Sequence, residues 1–233
     1  MEGRRHRLSR RVARSPARPI DCVRFVVTAG PTREPIDPIR FLSNRSSGKM
    51  GYAIATAALE EGNDVVLISG PVSLPPPNGV KLLNVITSDE MNDAVQRAVE
   101  DCDVLVMCAA VADYKPRRVA KQKMKKRDKG ILLDLIPTRD VLKSLPNKRD
   151  YLVVGFAAET NALENHAREK LRHKNCDIIV ANDVSDPAIG MESNENAVTI
   201  FFRDGKMKKI SRSSKQTIAR RLLKIILKTS KKF

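Results

Sequence analysis

Residues 28–51 read Thr-Ala-Gly-Pro-Thr-Arg-Glu-Pro-Ile-Asp-Pro-Ile-Arg-Phe-Leu-Ser-Asn-Arg-Ser-Ser-Gly-Lys-Met-Gly, and the way this stretch joins its neighbours decides the fold. It follows an apolar run, Cys22 to Val27, and leads into an Ala-rich segment with helical spacing that opens at Lys49. A strand followed by a helix puts the connection at the carboxyl end of a sheet strand, where open α/β proteins bind ligands. Such connections ordinarily take a few residues. This one takes about twenty, carries Pro31, Pro35 and Pro38, and finishes on Ser43-Asn44-Arg45-Ser46-Ser47-Gly48-Lys49. A polar connection of that length inside a domain signals a functional loop.

Outward from this stretch the chain alternates. Short apolar runs at Val23–Val27, Val65–Ile68, Val104–Met107, Tyr151–Val154 and Asp177–Val180 predict strands. They are near-continuous rather than alternating, as strands covered on both faces are. Amphipathic stretches lie between them: Lys49 to Glu61, stopped by Gly62; about Asp89 to Glu100, with Thr87 and Glu90 at capping-box spacing; and Ala162 to Lys174, with Asn161 and Glu164 at the same spacing. Repetition of strand, helix and strand predicts a parallel sheet with right-handed crossovers. Toward the end, Ala197–Phe202 and Met207–Ile210 flank an Asp204-Gly205 hairpin turn. Residues 213–228 then predict a basic amphipathic helix with Ile218, Leu222 and Ile226 on one stripe. Residues 131–136 predict one more strand, and 115–130, lacking periodicity, an exposed loop. The expected fold class is α/β: a doubly wound, mostly parallel Rossmann-like sheet with a C-terminal antiparallel β-hairpin and helix. One domain is expected over residues 21–230, after a disordered basic arm over 1–20 that is rich in Arg, Pro and Ser.

The 233 residues suffice for one sizeable core, and 42% hydrophobic content with no Trp suits a core of Val, Ile, Leu and Ala. No apolar stretch approaches the ~20 residues that span a bilayer, and the Arg-rich N-terminus lacks the apolar centre of a secretory signal. Cys22, Cys102, Cys108 and Cys176 show neither C-x-x-C nor His at metal spacing. They read as buried free thiols in a reducing, cytoplasmic compartment. The net charge of +16 is segmental: +6 over residues 1–24, +8 over 115–129 and +11 over 203–233, which leaves −9 elsewhere. A nucleic-acid-binding fold more often spreads its charge over one face, and the lysines of 121–126 have no aromatic residues between them for base stacking.

Several segments carry chemistry. Gly48-Lys49 is not a P-loop, because Ser43 stands where that motif has its first Gly and Met50 where it ends in Ser or Thr. The G-x-G-x-x-G fingerprint is also absent, Gly30 being followed by Pro31 and Thr32, which weakens a nicotinamide-dependent reading. What remains is Ser46, Ser47, Gly48 and Lys49 opening a helix: an anion site, or merely a well-capped end. Cys108-Ala109-Ala110-Val111-Ala112-Asp113 follows the third predicted strand. Its small residues admit a ring or ribose against the backbone, and Asp113 offers a carboxylate or a helix cap. Lys121 to Lys126 read as a solvated charge run or as a mobile cationic flap over phosphates. Phe156, after the fourth strand, is a base-stacking or a core residue. Lys170 and Lys174 share a helix face, where they are surface lysines or triphosphate ligands. His6, His166 and His173 have no partners at useful spacing.

Together, Gly30-Pro31-Thr32-Arg33-Glu34-Pro35, Arg40, Ser43 to Gly51, Ser69-Gly70-Pro71-Val72, Ala109 to Tyr114, Lys123-Met124-Lys125-Lys126, Gly155 to Thr160 and Ala181-Asn182-Asp183 resemble the 4′-phosphopantothenoyl-L-cysteine synthetases of the bacterial, CTP-using type. The match runs in order from about residue 23 to 228. The resemblance implies a ligase of coenzyme A biosynthesis that uses CTP with Mg²⁺, 4′-phosphopantothenate and L-cysteine. It implies Lys123, Asn44 and Arg40 as catalytic residues, Lys123 stabilising charge as the cytidylate forms and Asn44 positioning the acyl carbonyl, with Arg40 supporting the Asn44 loop. It implies nucleotide contacts from Met107, Cys108, Ala109, Asp113, Lys123, Asp140, Val141, Phe156, Lys170 and Lys174, and phosphate or acyl contacts from Gly30, Ser46, Ser47, Gly48 and Ala110. Arg139 departs from the family, which usually has Pro before that Asp. No metal ligands are identified. Members of the family are homodimers, in which the antiparallel C-terminal strands are expected to take part. The flavin-dependent decarboxylase that commonly precedes this domain has no counterpart in the sequence, so a stand-alone synthetase without flavin is expected, a separate decarboxylase acting next. A nicotinamide-dependent reductase and a nucleic-acid-binding module using the basic tails are the alternatives.

Overall fold

The apolar run of the first strand is buried on both sides, Phe25 and Val27 in one core and Val26 in another. Two cores mean two covering layers around one sheet. The computed structural model describes residues 22–126, 128, 130–159, 162–183 and 192–231. In chain order the elements are β1 (Arg24–Ala29), β2 (Arg33–Pro35), β3 (Phe41–Ser43), α1 (Lys49–Glu60), β4 (Asp64–Ser69), β5 (Lys81–Asn84), α2 (Ser88–Ala98), β6 (Val104–Met107), β7 (Tyr114–Pro116), β8 (Leu135–Pro137), β9 (Leu152–Glu159), α3 (Leu163–His173), β10 (Ile178–Asp183), β11 (Glu195–Phe202), β12 (Met207–Ser214) and α4 (Lys215–Ser230). Among the described residues the main sheet runs β12-β11-β10-β9-β6-β1-β4-β5. It is parallel from β10 to β5, with β11 and β12 antiparallel at one end.

One face is covered by α1 and α4, through Ile54, Ala58, Ile218, Leu222 and Ile226. The other is covered by α2 and α3, through Met91, Val95, Ala167 and Leu171. Helix boundaries follow local chemistry. Thr87 Oγ1 accepts from Glu90 N at 3.2 Å while Glu90 Oε2 accepts from Thr87 N at 3.3 Å, the reciprocal capping box the spacing predicts. Gly62, at φ 77°, lets the chain leave α1. Arg149 and Asp177, both nearly fully buried, pair at 3.0 Å and tie the entry of β9 to that of β10.

The expected strand at 131–136 is corrected: only Leu135–Pro137 is a strand, and it pairs with Tyr114–Pro116 outside the main sheet. Proline at one end of each of these short strands removes a ladder donor and keeps the pairing to three residues. Tyr114–Pro116 also takes the first residues of the segment expected as loop. The long connection after β1 is likewise not all loop, since it folds back as the β2–β3 hairpin. α2 ends two residues before its expected limit, in a 3₁₀ turn over Val99–Asp101. α3 is capped by Ala162 at φ 42° with no side-chain bond, rather than by a capping box; Asn161 lies outside the described residues, as do the arm over 1–20 and His6. α4 starts at Lys215 because Ser213 and Ser214 belong to β12.

Candidate active site

The chain leaves β1 toward β4 and β5, then returns to β6 on the other side. The carboxyl ends of β1 and β6 therefore form a topological switch point, where sheets of this class open a crevice. A strap over residues 108–113 crosses it. Thr28 Oγ1, fully buried at the end of β1, accepts from Cys108 N at 3.1 Å and Ala109 N at 3.0 Å. Ala110 N donates to Gly30 O at 2.9 Å, and Thr32 Oγ1 accepts from Ala112 N at 3.0 Å. From the far side Thr138 Oγ1 donates to Ala112 O at 2.6 Å and Thr138 N to Asp113 O at 2.9 Å. Asn44 Nδ2 donates to Ala110 O at 3.1 Å and Val111 O at 3.3 Å. The strap is thus fixed from three directions. The loop after β4 closes on the same crevice because Gly70 has no side chain: a Cβ there would stand 1.9 Å from Pro31 O.

Two clefts adjoin at the strap. The first, about 320 Å³, is lined by Met107, Ala109, Val111, Ala112, Asp113, Thr138, Arg139, Asp140, Val141, Leu142, Phe156, Lys170 and Lys174. The second, about 300 Å³, takes in Asn44, Ser46, Gly48 to Gly51, Cys108, Ala110, Asn182, Asn196 and Lys215. Ala109, Val111, Asp113, Phe156 and Lys170 line both, so a ligand in one cleft meets a ligand in the other at these residues.

The charges differ between the clefts. Lys174 pairs with Asp140, which also accepts from Lys143 N at 3.1 Å. Partial burial opposes ionisation of Asp140, but the Lys174 ammonium and the Lys143 amide outweigh it and hold the carboxyl below the usual range. Lys170 Nζ donates to Phe156 O at 2.8 Å, which aims it along the shared wall. In the second cleft the first turn of α1 begins at Gly48, φ 76°, with no side-chain cap and no acid in the turn. Ser46 Oγ accepts from Gly48 N at 3.4 Å, and the first turn, with the positive end of the helix dipole, adjoins the cleft. Cys108 borders the cleft as a half-buried residue, but burial of its thiol pushes it up to about 12, so it is a neutral wall. Burial pushes Cys102 and Cys176 up to about 12 as well.

The basic loop is moored beside the site. Asp37 is buried, and its Oδ2 accepts from Arg40 Nε at 2.9 Å and from Met124 N at 3.1 Å, while Arg40 Nη2 donates to Met124 O at 2.6 Å. Arg40 and three backbone amides hold the Asp37 carboxyl well below the usual carboxylate range. Ala120 N adds a bond to Ile36 O at 3.0 Å. Arg40 is thus tied to the lysine loop at Met124.

The structure brings Met107, Ala109, Asp113, Asp140, Val141, Phe156, Lys170 and Lys174 together in the first cleft, and Asn44, Ser46, Gly48, Cys108 and Ala110 in the second. Lys123 is exposed and lines neither, and Gly30, Ser47 and Arg40 line neither cleft either. Thr28, Asp37 and Lys215 were not marked as site residues by the sequence. Among the described residues no three of His, Cys, Asp or Glu cluster as a metal cage, and no helix is long and apolar enough to cross a membrane.

Residues 21–229 match the family model described as the DNA/pantothenate metabolism flavoprotein C-terminal domain. The chain is 46% identical over 215 residues to the coenzyme A biosynthesis bifunctional protein CoaBC of Bacillus subtilis (strain 168), covering 91% of this chain and 53% of that protein. It is 46% identical over 196 residues to CoaBC of Escherichia coli (strain K12), covering 82% and 48%. The chain thus spans about half the length of the curated relatives it matches. A crystal structure of the C-terminal domain of CoaBC superposes with TM-score 0.78 at 40% identity, covering 91% of this chain and 97% of that one.

Proposed function

The chain belongs to the DNA/pantothenate metabolism flavoprotein C-terminal domain family, and on that premise we propose that it is a phosphopantothenate–cysteine ligase of coenzyme A biosynthesis. The carboxylate of 4′-phosphopantothenate attacks the α-phosphate of CTP, releasing pyrophosphate and forming an acyl-cytidylate. The amine of L-cysteine then displaces CMP and gives the amide. The pair of clefts sharing one wall carries this reading. Two substrates must meet end to end, and positioning supplies much of the rate in such a transfer.

In this reading CTP occupies the first cleft, its base and ribose against Met107–Ala109, Asp113 and Phe156. Lys170, Lys174 and the turn at Asp140 and Val141 serve its phosphates. The acyl substrate lies in the second cleft along Ser46, Gly48 and Ala110, with Gly30 and Ser47 shaping the backbone behind. Lys123 swings from its Met124 mooring to stabilise charge as the cytidylate forms. Asn44, set on the strap, orients the acyl carbonyl for cysteine. Mg²⁺ would ride on the triphosphate: it is usually held by one or two carboxylates, phosphates and water, so no protein cage is required. Both half-reactions are redox-neutral and need no flavin, and decarboxylation of the product is a separate activity.

We assign the molecule a homodimer. Ile39, Phe41, Tyr114, Ile131, Leu132 and Leu135 are exposed on and around the β2–β3 and β7–β8 hairpins, Leu132 to 97%. Apolar exposure on this scale marks an interaction surface. The C-terminal edge expected from sequence carries Lys208, Lys209 and Arg212 on β12, so a two-fold contact along it would bring like charges near one another.

The test is pyrophosphate release with 4′-phosphopantothenate and Mg²⁺, comparing CTP with ATP, with and without L-cysteine. CTP-dependent release, with CMP and the amide formed only when cysteine is present, is the expected result. Folded protein that releases pyrophosphate with neither nucleotide would end this reading.

A further inference from the structure

Lys215 opens α4 and is only 3% exposed, yet it lines the second cleft. Lysine is rarely buried to this extent. Lys49, the first residue of α1, lines the same cleft. One short turn braces both: Lys49 Nζ donates to Glu192 O at 2.9 Å and Asn194 Oδ1 at 2.7 Å, and Lys215 N donates to Asn194 O at 2.9 Å. Burial, and next the Lys49 ammonium, draw the Lys215 pKa below its ordinary value. Two cations and the uncapped first turn of α1 therefore converge on one end of the cleft.

Their position along the site is informative. Asp113, Phe156 and Lys170 mark the boundary with the nucleotide cleft. Lys49 and Lys215 also line a further groove of about 630 Å³ between α1 and the start of α4, so they mark the opposite boundary. An acyl substrate must present its carboxylate at the first boundary. 4′-Phosphopantothenate is extended and carries its phosphate at the end remote from that carboxylate.

Building on the ligase reading, we propose that Lys215 and Lys49, with the first-turn amides of α1, bind the phosphate monoester of the acyl substrate and select the phosphorylated acid over the unphosphorylated one. A dianion there is met by opposite charge and by backbone donors at once. The outer phosphates of the nucleotide offer the same chemistry, and the experiment separates the two sources.

The experiment compares kcat/KM for pyrophosphate release with 4′-phosphopantothenate and with pantothenate, and the KM for CTP, in the wild type, Lys215→Met and Lys49→Met. The preference for the phosphorylated acid is expected to fall about tenfold or more in each variant. Lys49, only half-buried, keeps the test open if the Lys215 variant does not fold. An unchanged preference in a folded variant overturns the proposal. So does a loss that appears in the KM for CTP, which would give the lysines to the triphosphate. Calorimetric binding of the two acids without nucleotide reads the same preference apart from turnover. A wild type that makes no pyrophosphate but prefers the phosphorylated acid, with variants that do not, removes the ligase reading and leaves the lysine pair. An active wild type with no preference in either assay removes the pair and leaves the ligase.

Discussion

Thr28→Val is the sharpest probe of the strap, because it changes one hydroxyl for a methyl in a fully buried position of nearly the same volume. In the wild type the Thr28 hydroxyl accepts from the amides of both Cys108 and Ala109, at 3.1 and 3.0 Å. Valine leaves both donors without that acceptor. A buried donor stripped of its partner costs about 1–3 kcal/mol. Cys108 and Ala109 are only half-buried, so water recovers part of the loss, and the low end applies: about 1 kcal/mol each, about 2 kcal/mol together. In a chain of this size each kcal/mol moves Tm by about 2–4 °C, so thermal unfolding should fall by about 4–8 °C. Ala109 lines both clefts and Cys108 the second. If about 1.4 kcal/mol of the loss appears in nucleotide binding, the KM for CTP in pyrophosphate release rises about tenfold. Thr28→Ser keeps the acceptor while removing a methyl, and should restore the KM even where packing lowers Tm. A valine variant with wild-type Tm and wild-type KM would refute the claim that this hydroxyl sets the strap.

Asn44→Asp should keep releasing pyrophosphate while amide formation falls about 100-fold or more, the cost typical of losing one aligned donor at a reacting carbonyl; normal coupling to cysteine would take Asn44 out of the mechanism. Lys123→Gln should already be slow at pyrophosphate release in a single turnover, and a wild-type burst would show that the loop lysine acts elsewhere. Asp140→Asn tests the pairing in the nucleotide cleft. The Asp140 carboxyl is held below its usual value near 3.8, so its contribution to stability is complete above that pH and is lost as pH falls through the lowered value. Thermal unfolding should therefore separate wild type from variant at pH 7 and bring them together toward acid; a gap independent of pH would contradict the Lys174 pairing.

The parallel strands were legible because burial on both faces writes them as unbroken apolar runs: Val104–Met107 is bounded in the structure as the pattern predicts. The accessory hairpins were not. Arg33–Pro35, Phe41–Ser43, Tyr114–Pro116 and Leu135–Pro137 are three residues each, too short for a period of two to show, and Pro35, Pro116 and Pro137 argue locally against strands. Lys81–Asn84, exposed at both ends on the sheet edge, escaped for the same want of pattern. At the site, residues in contiguous motifs were found and residues acting across the fold were missed. Thr28 reads as an ordinary β-branched strand residue until the 108–109 amides are seen to converge on it. Asp37 reads as a turn carboxylate until Met124, 87 positions later, docks on it. Lys215 is one lysine among many in a basic tail, and only the packing of α4 on α1 buries it.

The two kinds of loop at this site answer to two demands of the proposed chemistry. Carboxylate, α-phosphate and amine must be aligned in turn at one place, which calls for fixed geometry. The strap supplies it, since Thr28, Gly30, Thr32, Asn44 and Thr138 hold its backbone from three sides. Charge on the triphosphate, by contrast, develops during one half-reaction and leaves with pyrophosphate. A cation needed only then is best carried on a segment that can withdraw. The exposed lysines at 121, 123, 125 and 126 flank Met124, the point pinned by Asp37 and Arg40. Pinning beside Lys123 limits its reach to an arc about that anchor, while the hairpin bearing Asp37 continues directly into Asn44. The residue proposed for the first half-reaction and the residue proposed for the second are thus hung from one β2–β3 hairpin, so a displacement of that hairpin must register in both.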